Sequence, residues 1–116
     1  MKNLGFDRRM GFAVQGWRHA WRHEYSFRTQ VFAALLVFAL LAVLRPHLVW
    51  WALVGVMVSL VLAAELFNTA LENLADIISP QAHPAIKIAK DCAAGAVLVL
   101  SAGAVWVAVL MVLAQR

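Results

Sequence analysis

Glu65, Asn68, Glu72 and Asp76 are spaced by three, four and four residues. At about 100° per residue they fall within roughly 80° of one another on a single helix face. The three carboxylates in this stripe repel each other unless protons or cations intervene. A divalent metal supplies that charge, and Mg²⁺ favours one or two carboxylates together with phosphate oxygens. The stripe begins where the apolar run Leu48 to Ala64 ends, so Glu65 is expected at the bilayer interface. Ionisable groups at such depths are costly and mark functional pathways. The alternative for Glu72 and Asp76, plain solvated acids on a helix extension, does not account for Glu65.

Complementary charge follows shortly after. Beyond Ser79-Pro80 and His83-Pro84, the segment Ala85 to Asp91 sets Lys87, Lys90 and Asp91 on one helix face. A lysine there can hold phosphate as a point charge. Snorkelling toward headgroups suits Lys87, and phosphate contact suits Lys90.

The elements that must position these groups are membrane spans. The chain has 116 residues, of which 64% are hydrophobic and 14% charged, well away from the composition of soluble domains. Val31 to Leu44, Leu48 to Ala64 and Cys92 to Ala114 are almost free of polar side chains, with Ser59 and Ser101 as the exceptions. With their flanks, each reaches the ~20 residues that cross a hydrocarbon core of ~30 Å. A soluble three-helix bundle would need polar faces that these helices lack. The expected fold is all-α and integral to the membrane, with one domain over 1–116. It comprises an interfacial helix over about 6–25 and helices over 27–44, 48–64 continuing to about 78, and 85–114. The first apolar run starts too late for a cleaved signal peptide.

The N-terminal arm is amphipathic. Phe6, Met10, Ala13, Trp17, Trp21 and Tyr25 share one side, and Arg8, Gln15, Arg18, His19 and Arg22 the other. Such a helix lies along the membrane surface with its aromatic rings at headgroup depth. It can anchor the chain and also wall a lipid headgroup site, for which Arg18 and Trp21 are the candidates. Arg8 and Arg9 receive no substrate role.

Basic residues set the orientation. Lys2, Arg8, Arg9, Arg18, Arg22 and Arg28 precede the first span, and Lys87 and Lys90 lie between the second and third. Only Arg45 lies between the first two. The positive-inside bias puts the N-terminus and the second connection in the cytoplasm. The net charge of +4 gathers beside apolar spans, which argues for anionic headgroups rather than nucleic acid as partner. The single Cys92 excludes an intrachain disulfide and is expected to be a small packing residue.

Three segments in this order resemble the prokaryotic diacylglycerol kinase family. They are Gly16-Trp-Arg-His-Ala-Trp-Arg-His-Glu-Tyr-Ser-Phe-Arg28, Glu65-Leu-Phe-Asn-Thr-Ala-Leu-Glu-Asn-Leu-Ala-Asp76 and Ala89-Lys-Asp-Cys-Ala-Ala-Gly-Ala-Val97. The resemblance implies an ATP-dependent lipid kinase of the bacterial cytoplasmic (inner) membrane, a homotrimer with sites shared between chains and with its active site on the cytoplasmic side. It implies Glu65 as the general base toward the lipid hydroxyl, and Glu24 and Glu72 as the acids that hold Mg²⁺ with ATP. Asn68 corresponds to an amide that orients groups in the site, and Lys90 with Asp91 to a pair on the nucleotide. Asp76 and His83 correspond to further positions near the nucleotide. Family members act on diacylglycerol or on undecaprenol. The sequence has no glycine-rich phosphate loop, so ATP rests on the resemblance alone. The competing expectation is a non-enzymatic membrane subunit or an ion- or proton-conducting module, which would need polar groups at several depths. Between Val31 and Ala64 there are almost none.

Overall fold

The computed structural model describes residues 3–116. Lys2, counted above among the basic residues of the arm, lies outside them. Four helices follow in order: α1 (Phe6–His23), α2 (Tyr25–Leu44), α3 (Leu48–Ile78) and α4 (Pro84–Ala114). There is no strand among the described residues.

The amphipathic arm and the first span are separate helices divided by one residue. Glu24 takes extended torsions (φ −115°, ψ 106°) and serves as the C-cap of α1 and the N-cap of α2. The arm was expected to continue to about residue 25, and no glycine or proline marks the break. Its physical cause is the change of pattern: a two-faced helix belongs along an interface, an all-apolar one across the bilayer. Arg28 seals the corner. Its Nη1 donates to the Trp21 carbonyl at 2.8 Å and to the Arg22 carbonyl at 3.3 Å, occupying acceptors left open by the end of α1.

The connection from α2 to α3 is short. Arg45 enters the left-handed region (φ 51°, ψ 55°), and its N–H donates to the Leu41 carbonyl at 2.8 Å. That conformation costs a side-chain-bearing residue about 1–2 kcal/mol, and Pro46 then stops the helix. The His47 ring opens α3, its Nδ1 accepting from the Val49 N–H at 3.2 Å. A second histidine cap, His83 Nδ1 accepting from Ala85 N–H at 3.1 Å, opens α4 with Pro84 in its first turn.

Helices α2, α3 and α4 are each long and apolar enough to cross a membrane. α4 packs along α3, α2 packs on α3, and α1 lies against both α2 and α3. The buried cluster Leu41, Val54 and Met111 sits near the α2–α3 turn, with Phe38 stacked on Trp51 beside it. Gly103 permits close approach of α4 to α3, since a Cβ there would meet Met57 Cε at 3.1 Å. Most large apolar side chains point outward, Leu36 at 72% and Leu98 at 71% exposure among them. Surfaces of that size and composition need hydrocarbon as solvent, and the protein is accordingly a membrane protein.

The arm packs in a way that its aromatic pattern did not indicate. Ala20 is fully buried. Ala13, Gly16 and Trp17 face Leu66, Thr69, Ala70 and Asn73 of α3 across a space that His19 also lines. His19, on the polar side of the helical projection, thus lies toward α3. Small side chains let the α1 backbone approach α3, which leaves the bulkier rings Trp17 and Trp21 at the flank, 48% and 41% exposed.

Candidate functional site

Along α3 the polar stripe grades from dry to wet. Glu65 is only 3% exposed, Asn68 and Glu72 are half-buried, and Asp76 is exposed. The gradient extends about 16 Å along the axis at roughly 1.5 Å per residue. It follows from the geometry of the neighbours: α2 and α4 cover the deep end, and the shallow end projects past α2.

Glu65 and Asn68 line a cavity of about 410 Å³, walled on the α2 side by Tyr25, Ser26 and Gln30 and on the α4 side by Ser101. The Asn68 Oδ1 is buried and has no hydrogen-bond partner among the described residues. Buried acceptors are nearly always paired, so this oxygen is suited to a donor brought by a ligand. The cavity thus offers a carboxylate and an open amide carbonyl at the end of an apolar span.

Glu72 lies two turns beyond Glu65 on α3, and Glu24 sits at the break between α1 and α2. The break that interrupts α1 and α2 therefore carries one of the two expected metal acids. Among the described residues no three histidine, cysteine or acidic side chains form a ready cluster for a metal ion. Two hard carboxylates without a third protein ligand are a donor set that fits Mg²⁺, which retains waters and takes phosphate oxygens as further ligands.

The remaining expected residues gather at the α3–α4 connection. Asp76, His83 and Lys90 line a second space of about 320 Å³ with Ser79 and Lys87. Lys90 Nζ donates to Asp76 Oδ1 at 2.6 Å, and Lys87 Nζ to Asp91 Oδ2 at 2.7 Å. Lys90 and Asp91, expected to act as a pair, thus have separate partners. One helical turn places Lys87 over Asp91 on α4, whereas Lys90 faces across to α3. Both pairs are solvent-exposed and contribute little to stability.

Arg18 and Trp21 are not among the residues lining the Glu65 cavity. Trp21 instead tilts against Phe32 of α2, with ring centroids 5.7 Å apart, and Arg18 is exposed. What the sequence reading missed is the pair Gln30 and Ser101. Each was visible only as a lone polar residue at the edge of or within an apolar run, and that is the signal to look for.

A bundle of this kind, three spans and a surface helix around a buried carboxylate with acids and a lysine toward one end, defines a small polytopic membrane protein with a polar site at one membrane face. The chain belongs to the prokaryotic diacylglycerol kinase family, whose pattern it matches over residues 11–112. It is 37% identical over 95 residues to a diacylglycerol kinase of Synechocystis sp., covering 81% of this chain and 54% of that one. It is 34% identical over 80 residues to an undecaprenol kinase of Bacillus subtilis, covering 69% of this chain and 65% of that one. It is 33% identical over 89 residues to a diacylglycerol kinase of Escherichia coli, covering 77% of this chain and 73% of that one. The matched region thus spans about half the length of the Synechocystis relative and just under two thirds of the Bacillus one.

Proposed function

We propose that the protein transfers the γ-phosphate of ATP to the hydroxyl of a membrane lipid alcohol, diacylglycerol or undecaprenol. The observation that carries this reading is Glu65, a buried carboxylate lining a cavity at the end of an apolar span, with Glu72 two turns further along the same helix. Family membership and relatives named for both lipids support it.

Glu65 accepts the proton of the lipid hydroxyl as that oxygen attacks the γ-phosphorus. The new O–P bond forms while the bond to the β-phosphate oxygen breaks, leaving ADP and the phosphorylated lipid. General-base assistance of this kind is worth about 10²–10⁴-fold in rate. Phosphoryl transfer otherwise asks mainly for alignment and charge neutralisation. Asn68 orients polar groups in the cavity through its open Oδ1, and Lys90 with Asp91, Asp76 and His83 binds the nucleotide at the α3–α4 connection. Mg²⁺ held by Glu24 and Glu72 would neutralise phosphate charge. Arg18 and Trp21 on α1 belong to the lipid side, bordering the headgroup region rather than the cavity itself. The site faces the cytoplasm of the bacterial inner membrane, where ATP is available and where the basic residues of the arm direct the N-terminus.

The direct test is purified protein in lipid vesicles with γ-labelled ATP and Mg²⁺, offered each lipid alcohol separately. Label is expected in phosphatidic acid or in undecaprenyl phosphate; label in neither would reject the reading. Assembly is a related expectation. The outward apolar surfaces and the open Glu65 cavity suit a homotrimer that shares its sites between neighbouring chains. Cross-linking in mild detergent is expected to yield trimers, and a strict monomer with full activity would contradict it.

A further inference from the structure

Helices α2 and α4 both pack on α3, and one side-chain bond joins them across the gap. Gln30 Nε2 donates to Ser101 Oγ at 2.9 Å, linking residues 71 apart in sequence. The same Gln30 side chain shares a cavity with the Glu65 carboxylate. Both bridge residues line the Glu65 cavity. Both also line the apolar groove on the other side, walled by Ala33, Ala34, Ala104 and Ala108. The bridge thus stands where the polar cavity meets hydrocarbon.

Chemistry gives that placement a role. A primary amide carries two protons and one acceptor oxygen. Ser101 takes one proton, and the other remains available to Glu65. A flexible glutamine loses rotamer freedom when it is fixed, and the Ser101 hydroxyl supplies the fixed point. Left unpaired in apolar surroundings, the amide would be costly, so the serine also removes a reason for Gln30 to turn away.

We propose that Gln30, held by Ser101, is a positioning residue for Glu65, orienting the carboxylate so that one oxygen faces the acceptor hydroxyl. This rests on the reading of Glu65 as the base. Gln30 takes no proton itself and touches neither phosphate nor nucleotide.

The test is a double-mutant cycle in lipid vesicles with single-turnover detection of labelled ATP. Gln30→Leu removes the donor and suits the apolar surroundings. It is expected to lower kcat by about tenfold to hundredfold, the scale of a misplaced reacting group, with KM for ATP unchanged. Ser101→Ala is expected to lower kcat by a smaller factor, and Ser101→Thr, which keeps the hydroxyl, to restore it. In a Glu65→Gln background, Gln30→Leu is expected to cause no further loss, because its effect passes through the carboxylate. The same fractional loss in both backgrounds would make Gln30 merely structural and overturn the proposal. So would a fully active Gln30→Leu beside an inactive Glu65→Gln. A near-normal kcat for Glu65→Gln would instead remove the base reading, and the positioning role with it. Should Gln30→Leu fail to insert, Ser101→Ala carries the same comparison, since it deletes a single hydroxyl.

Discussion

Replacing Glu65 with glutamine is expected to lower kcat by about 10²–10⁴-fold, the worth of a general base, while leaving ATP affinity unchanged. Glutamine keeps the size and polarity of the side chain but cannot take up the hydroxyl proton. The site is expected to tolerate the swap. Glu65 makes neither of the two ion pairs found among the described residues, and the cavity it lines also holds Asn68, whose Oδ1 offers a new amide a partner one turn away. The separation of effects is the informative part. Glu65 sits roughly 10 Å along the helix axis from Glu72, two turns away, far enough for the base and the nucleotide ligands to be distinct. Rapid-quench measurement of the chemical step beside equilibrium ATP binding checks this. A variant that loses nucleotide affinity while its chemical step stays fast would make Glu65 a metal or nucleotide ligand instead.

Glu72→Gln is expected to abolish turnover, by about 10²-fold or more, with helix content and membrane insertion intact. A carboxylate that holds Mg²⁺ against phosphate contributes several kcal/mol of charge stabilisation, and each ~1.4 kcal/mol is a factor of ten in rate. The fold has little reason to respond. Glu72 is half-buried and belongs to neither ion pair among the described residues, so the substitution strands no partner among them. Turnover at saturating ATP and Mg²⁺, with circular dichroism on the same sample, separates catalysis from folding. Near-normal activity would contradict the metal assignment.

Most of the architecture is readable in the sequence because its pattern is extreme. Helices without a polar face have one suitable solvent, and the i, i+3, i+4 spacing from Glu65 to Asp76 survives in the structure as one stripe on α3. The parts that were not readable depend on pairings with no sequence period. Lys90 neighbours Asp91 in the chain but bonds Asp76 on another helix. Gln30 and Ser101 are separated by most of the protein. Glu24 interrupts two helices without glycine or proline, since the break answers to a change of surroundings rather than to local propensity. Ala20 stands between aromatic rings in the chain, yet it is fully buried, and it is the small Ala13 and Gly16 that face α3.

α3 runs unbroken for 31 residues, from the α2–α3 turn through Glu65 and on to Ile78. That continuity makes residue count a coordinate. Adding one residue between Leu48 and Ala64 would shift Glu65 by roughly 1.5 Å in depth and swing it about 100° around the axis, out of its cavity and toward lipid. An apolar exchange in the same stretch alters neither quantity. The span can therefore drift freely in spelling but not in length, whereas the link over 79–83 lies beyond the buried carboxylate and can change length without moving it.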